Sequence, residues 1–403
     1  MNTFPALSET YVLWHMVELV KAGVDLEIWP VSLGNTERVH DEVRDFDLLQ
    51  RTYPLAELSA RTPAKKVQER AKLILSAFRR NPRMAVSAMP MIGGLANIGW
   101  ANTFAHLAEY TGEKAFDVIH AYFGPPGRRA VQLRDVGAFR GPIVTSFLGY
   151  DVNVLGTRYG GEYYRHLFDR ADRISVSSEF MRRKLLELGA PEKRVVLLPL
   201  GLPVERFAFK ERTAPADGPV RIATAARLTE VKGIEWGVRA IAEAAKRGAH
   251  IRWDILGDGP LRGSLEALAE GLGVQDLVHF HGMQPMPYVQ RVLEEAHIGM
   301  LPGVRAADGA EEALGGAVLE AQACGLPVLT TDAGGIGEGI VDGVSGVRVP
   351  QRDAGALADG IMALLARAGE WPSMGRAGRQ HVAENYDCAA LNDRWLALYR
   401  KLA

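Results

Sequence analysis

With 403 residues, 47 basic and 48 acidic side chains and a formal net charge of −1, the chain is long enough for two domains with separate cores and has no excess of cations for a nucleic-acid partner. Its two cysteines, Cys324 and Cys388, are too few for a disulfide framework and lie outside metal-ligand spacings such as C-x-x-C, which points to a reducing cytoplasm and no resident metal. The most apolar window, residues 84–105, is interrupted by Pro90, Gly93, Gly94, Asn97, Gly99 and Asn102, so it reads neither as a signal peptide nor as a transmembrane helix.

The chain opens on Phe4-Pro5-Ala6-Leu7-Ser8-Glu9-Thr10, in which Ser8, Glu9 and Thr10 are placed to cap a helix with apolar positions Tyr11, Leu13, Val17, Leu19 and Val20. A strand is expected at 24–29. Between 61 and 83, Arg61, Lys65, Lys66, Arg70, Lys72, Arg79, Arg80 and Arg83 interleave with Val67, Ala71, Ile74, Leu75 and Phe78 at helical spacing. Such a basic amphipathic helix suits an anionic membrane, each cation contributing about 1 kcal/mol near the surface, and suits an ordinary cationic solvent face as well. Asp45-Phe46-Asp47 is the one D-x-D and reads as a solvated turn.

Further strands are expected at 116–121, 143–147, 174–176 and 195–198, then at 220–225, 251–256, 278–280, 298–301, 328–330 and 347–349. Helical patterns separate them. That order specifies doubly wound α/β units with parallel sheets. The segment 199–219, rich in Pro and charge, reads as a linker. The expected architecture is two Rossmann-like domains facing across a cleft, residues 1–200 and 201–385, with 386–403 a helix returning to the first domain. Ligands of such sheets bind outside the carboxyl ends of the strands.

Several strand ends carry chemistry. After the strand at 220–225, the turn Ala226-Arg227-Leu228-Thr229-Glu230-Val231-Lys232-Gly233 offers a planar guanidinium and a point charge five residues apart, a diphosphate cradle or a pair of ordinary surface cations. Ile255-Leu256-Gly257-Asp258-Gly259-Pro260 supplies glycines that let backbone approach a ligand, without the full dinucleotide fingerprint. In Glu311-Glu312-Ala313-Leu314-Gly315-Gly316-Ala317-Val318-Leu319-Glu320, a Gly-rich turn runs into a helix ended by Gly325 and Pro327. The free N–H groups of that helix start, at Gly315, Gly316, Ala317 and Leu319, suit a phosphate, and Glu312 and Glu320 can accept from two diols. The same acids also fit a solvated helix start. The Gly-rich run Thr331 to Glu338 reads as a turn needing positive φ or as a ligand loop.

Glu312, seven residues, Glu320 and then Ala321-Gln322-Ala323-Cys324-Gly325-Leu326-Pro327-Val328 resemble the donor signature of retaining GT-B glycosyltransferases of family four. Arg227-x4-Lys232-Gly233 and Thr331-Asp332-x-Gly334-Gly335-x-x-Glu338 are similar to two further motifs of that family. The resemblance covers nearly the whole chain and implies a nucleotide-sugar donor, no cofactor and no metal. It assigns sugar hydroxyls to Glu312, the ribose to Glu320, and the negative charge of the departing nucleoside diphosphate to Arg227 and Lys232. Gly257 and the backbone of Met283 would flank the base. Ser8, Tyr150 and Asp151 would lie on the acceptor side, Ser8 at a helix start that faces the cleft near the phosphates.

There are departures. Ala313-Leu314-Gly315 replaces the family's Gly-Phe-Gly or Gly-Leu-Pro, and Leu148 stands where H-G-Y-D has its histidine. His120, in His120-Ala121-Tyr122-Phe123, is the candidate to replace that imidazole. Family members begin with a short apolar strand before F-P-x-x-S-E-T, whereas Met1 stands three residues ahead of Phe4, so a missing central strand or a miscalled start is expected.

The opening segment is closest to enzymes of exopolysaccharide assembly such as those for colanic acid or amylovoran. The expected activity is transfer of a sugar, with UDP as the default carrier, to a glycan or lipid-linked acceptor, at or beside the inner face of the plasma membrane. Leu148 leaves open a binding protein that has lost catalysis, and the fold leaves open a sugar-nucleotide 2-epimerase.

Overall fold

The computed structural model describes residues 1–7, 9–55, 63–92 and 100–403, which fall into two compact units. The first comprises residues 1–177, 182–200 and 391–403, and the second residues 178–181 and 201–390.

Four parallel strands form the sheet of the first unit in chain order: Ile119–Tyr122, Ile143–Phe147, Arg173–Val176 and Val195–Leu197. Every residue of Ile143–Phe147 is buried, as a strand covered on both faces requires. The helix Thr10–Lys21 places Leu13, Met16 and Val17 in one cluster with Val144, Leu198 and Trp395. Trp395 comes from the C-terminal helix Cys388–Arg400, and its Nε1 donates to the Pro199 carbonyl at 3.0 Å, so the indole is buried with its polar end satisfied. The expected strand at 24–29 does not form. Only Ile28 bridges, to Thr52, while Thr3–Phe4 pairs with Ser32–Leu33. The alternation of Val24, Leu26 and Ile28 describes a half-buried extended segment, but a strand also needs a neighbour along its whole length.

The second unit has six parallel strands in the order Val278–Gly282, Ile251–Leu256, Val220–Ala225, Ile298–Leu301, Val328–Thr331, Gly346–Val349. The chain winds outward from Val220–Ala225 in one direction, returns to the centre, and winds outward in the other. The reversal between Val220–Ala225 and Ile298–Leu301 is the switch point at which open α/β sheets hold ligands. Trp253 anchors the core, fully buried, with Nε1 donating to Thr224 Oγ1 at 2.8 Å. The helix Ile234–Lys246 lies against it at Gly237, where an added Cβ would stand 2.4 Å from the indole. That close packing fixes the turn ahead of the helix, and the turn carries Lys232.

Candidate active site

The two loops at the switch point are built on each other. Gly233 ends the turn at φ 64°, and a Cβ there would stand 1.8 Å from the Pro302 carbonyl oxygen, so only glycine lets the turn approach the second loop this closely. Val304 N then donates to the Val231 carbonyl at 3.0 Å. In this frame Lys232 Nζ meets Glu312 Oε1 at 2.7 Å, and the two side chains keep only 15% and 17% of their surface exposed. A pair so shielded is screened far less than a surface salt bridge.

Glu312 is held by its backbone from the Gly-rich loop: Gly335 N donates to its carbonyl at 2.8 Å, and a Cβ on Gly334, at φ 60°, would approach that oxygen to 2.5 Å. The run after Val328–Thr331 is therefore a turn that needs positive φ, and it also fixes the first acid. Past Glu312, Gly315 at φ 76° starts the helix Gly316–Ala323 with no side-chain cap; Val318 N donates to the Gly315 carbonyl at 2.9 Å, which leaves the N–H groups of Gly316 and Ala317 without an intrahelical partner. Gly316 is exposed and Ala317 half-buried, whereas the Leu319 side chain is only 3% exposed in the core and its N–H, four residues past the N-cap, closes the first helical turn, so Leu319 packs the helix and offers a ligand no free donor. Burial pushes the Glu320 carboxyl up to about 7, and the Lys232 charge pulls the other way. The structure thus brings Lys232, Glu312 and Glu320 into one electrostatic group. Arg227 lies on the same turn, exposed, without an ion pair to any described residue. Gly257, at φ 137°, packs 2.0 Å from the Ala226 carbonyl as measured to its missing Cβ, and its N–H donates to Gly282 O at 2.9 Å; Met283 follows, 62% exposed. Among the described residues no group of three or more His, Cys, Asp or Glu is arranged to hold a metal ion.

In the first unit, two of the expected site residues are enclosed in hydrogen-bond networks. His120 does not offer a free imidazole: its Nδ1 is 2.6 Å from Tyr399 Oη, its Nε2 is 2.7 Å from Ser146 Oγ, and its ring lies 4.8 Å from that of Trp395. Burial holds its pKa well below the usual range, with His15 adding to the effect. It joins strand to C-terminal helix, and both nitrogens are occupied. Asp151 is likewise an internal brace and not an open acceptor contact. Only 1% exposed, it accepts from the N–H groups of Gly124 at 2.9 Å, Gly149 at 2.9 Å, Leu148 at 3.1 Å and Val152 at 3.1 Å. Burial raises its pKa to about 6 against those donors. Leu148 is half-buried against the first unit's core, and Tyr150 is 63% exposed. Ser8 and Arg61 lie outside the described residues.

Sequence reasoning missed Glu230 and Arg352. Glu230 Oε1 accepts from Ala307 N at 3.0 Å and Arg352 Nη2 at 3.1 Å, joining the Lys232 turn to the loop before Glu312. Nothing local reveals partners so distant in the chain.

Comparison with known proteins gives the family and the fold. Residues 8–201 match the glycosyl transferase 4-like domain, and residues 219–367 match glycosyl transferases group 1. WcaL of Escherichia coli strain K12, assigned to colanic acid biosynthesis as a glycosyltransferase, is 31% identical over 99% of this chain and 98% of its own length. The amylovoran biosynthesis glycosyltransferase AmsK of Erwinia amylovora is 31% identical over 88% of this chain and 87% of its own. Among solved structures, a glycosyltransferase from Rickettsia africae superposes with a TM-score of 0.69 at 18% identity, covering 100% of this chain and 97% of that one. Anabaena Alr3699/HepE, solved with UDP and glucose, gives 0.67 at 14% identity, covering 97% and 96%. These matches favour a transferase over the epimerase and the inactive binding protein. The paired domain matches, the full-length relative and the shared two-domain fold together show that this chain is a GT-B glycosyltransferase belonging to the group 1 family.

Proposed function

We propose that this glycosyltransferase moves a sugar from a UDP-sugar onto a glycan or lipid-linked acceptor in exopolysaccharide assembly, with retention of anomeric configuration and without a metal ion. The observation that carries the donor site is the shielded Lys232–Glu312 pair at the switch point, with Glu320 inside the lysine's field. Lys232 and Arg227 meet the donor's diphosphate, Glu312 accepts from the sugar hydroxyls, and the N–H groups of Gly316 and Ala317 take the remaining phosphate oxygens. Glu320 accepts from the ribose, and Gly257 and the Met283 backbone flank the base. Two cations on one turn can stabilise the charge that grows on the departing diphosphate, which is the work a metal does in other transferases. Retention follows if the departing phosphate oxygen takes the acceptor's proton on the same face, a route that needs no carboxylate nucleophile.

The acceptor class rests on WcaL and AmsK, whose names place them in colanic acid and amylovoran biosynthesis, and UDP on the nucleotide in Alr3699/HepE. The test of the donor site is UDP binding that weakens when Glu320 is replaced by alanine.

No helix among the described residues is long and apolar enough to cross a membrane. A membrane contact is instead supported by the helices Pro63–Arg80 and Pro82–Ala88. Val67, Leu75 and Val86 stand exposed there, 68%, 54% and 61%, with Met89 just past the second helix at 44%, among the exposed cations Lys65, Lys66, Lys72, Arg79 and Arg83. We expect the protein to float with vesicles containing an anionic lipid and to be released by high salt or by Lys65→Glu with Lys72→Glu. Equal flotation with neutral vesicles would exclude this electrostatic docking.

A further inference from the structure

The segment between the strand end at Leu301 and Glu312 is tied to the Lys232 turn by more than the Val304–Val231 bond. Ala306 N donates to Ala310 O at 2.8 Å and Gly309 N to Ala306 O at 2.9 Å, so residues 306–310 close on themselves as one rigid turn. That turn is fastened from outside by Glu230, through the 3.0 Å bond from Ala307 N. Arg352 closes the arrangement. Its Nη2 reaches both Glu230 Oε1 and the Arg305 carbonyl, and its neighbour Gln351 accepts from Arg305 N at 2.7 Å while donating its own N–H to Asp332 Oδ1 at 2.9 Å. Arg352 does this from φ 58°, a left-handed conformation that a non-glycine residue holds only when its surroundings enforce it.

Resting on the donor-site reading above, we propose that Glu230 and Arg352 are a positioning clamp for the donor's diphosphate and sugar, setting Lys232 against Glu312. One carboxylate oxygen holds the turn that carries Lys232 on one side and the loop leading to Glu312 on the other. Its guanidinium partner keeps that oxygen in place and fastens the loop a second time. Neither residue touches the reacting atoms. Lys232 and Glu312 act on charge and hydroxyls whose placement matters most in the transition state, so loss of the clamp is felt in kcat.

The test measures kcat, donor KM and thermal stability for Glu230→Ala, Glu230→Gln, Arg352→Gly and, as reference, Lys232→Ala. Glu230→Ala and Arg352→Gly should each lower kcat about tenfold with donor KM within about threefold of wild type, the signature of misplacement and not of lost binding. Glu230→Gln should recover most of the loss, because its amide oxygen still accepts from Ala307 N. In Arg352→Gly the strain relieved at φ 58° offsets part of the lost guanidinium bonds, so its melting temperature should fall less than that of Glu230→Ala. Wild-type turnover in both clamp variants with Lys232→Ala impaired overturns the clamp and leaves the donor site standing. So does a kcat loss that merely follows a fall in melting temperature. Unimpaired Lys232→Ala removes the donor-site reading itself.

Discussion

Replacing Lys232 by alanine is expected to lower kcat by about 10²–10³-fold, the usual loss when one donor to developing negative charge is removed from a catalytic site. The ground-state donor still has Arg227 and the helix N-terminus, so its affinity falls less than its turnover. A second consequence is electrostatic. Lys232 is the cation that holds the Glu320 carboxyl down against burial, and that carboxyl already lies near about 7. Without the lysine it moves higher. If ionised Glu320 is the better ribose acceptor, UDP affinity in wild type rises as pH passes through about 7, and in the variant the rise comes at higher pH. Steady-state kinetics and binding across pH 5.5 to 9, roughly the range a Glu shifted by burial can span, check both parts. Unchanged turnover in Lys232→Ala would sink the assignment.

Asp151→Ala is expected to act on stability and not on chemistry. The carboxylate serves four backbone N–H groups from two segments, 123–124 and 148–152, that follow neighbouring strands. Phe123, just before Gly124, sits at φ 74°, so the brace also stabilises a strained start to the helix Gly124–Asp135. Removing the acceptor orphans buried donors at about 1–3 kcal/mol each, partly offset by no longer burying a charge, for a net loss of about 2–4 kcal/mol. The pH dependence has a definite sign. Because the folded pKa, about 6, lies above the ordinary 3.8, this group's contribution is greatest below pH 3.8 and is lost as pH rises through about 6. Chemical denaturation at several pH values should show that slope in wild type and its absence in Asp151→Ala. A variant as stable as wild type would contradict the brace.

The sheets were legible where an apolar run stops at a glycine or proline, as Ile251–Leu256 does at Gly257 and Ile298–Leu301 at Pro302, and all four residues of Ile298–Leu301 are buried, as a strand covered on both faces requires. The segment 24–29 misled, since pairing depends on a partner that local alternation does not specify. At the site, the spacing of Lys232, Glu312 and Glu320 was readable, as each sits at a loop or helix start that glycines mark. His120 and Asp151 were not. Tyr399, which occupies one His120 nitrogen, lies 279 residues away, and the donors to Asp151 are backbone groups that no side-chain motif announces. Gly149 and Asp151 together did hold a clue, because a buried Asp close to glycine commonly bonds to nearby backbone.

Calorimetric titration of UDP into wild type and Glu320→Ala tests the donor pocket most directly. The account predicts saturable one-site binding to wild type, weakened at least about tenfold in the variant, as loss of a hydrogen bond to a charged group implies. Equal affinity in the two proteins would contradict it.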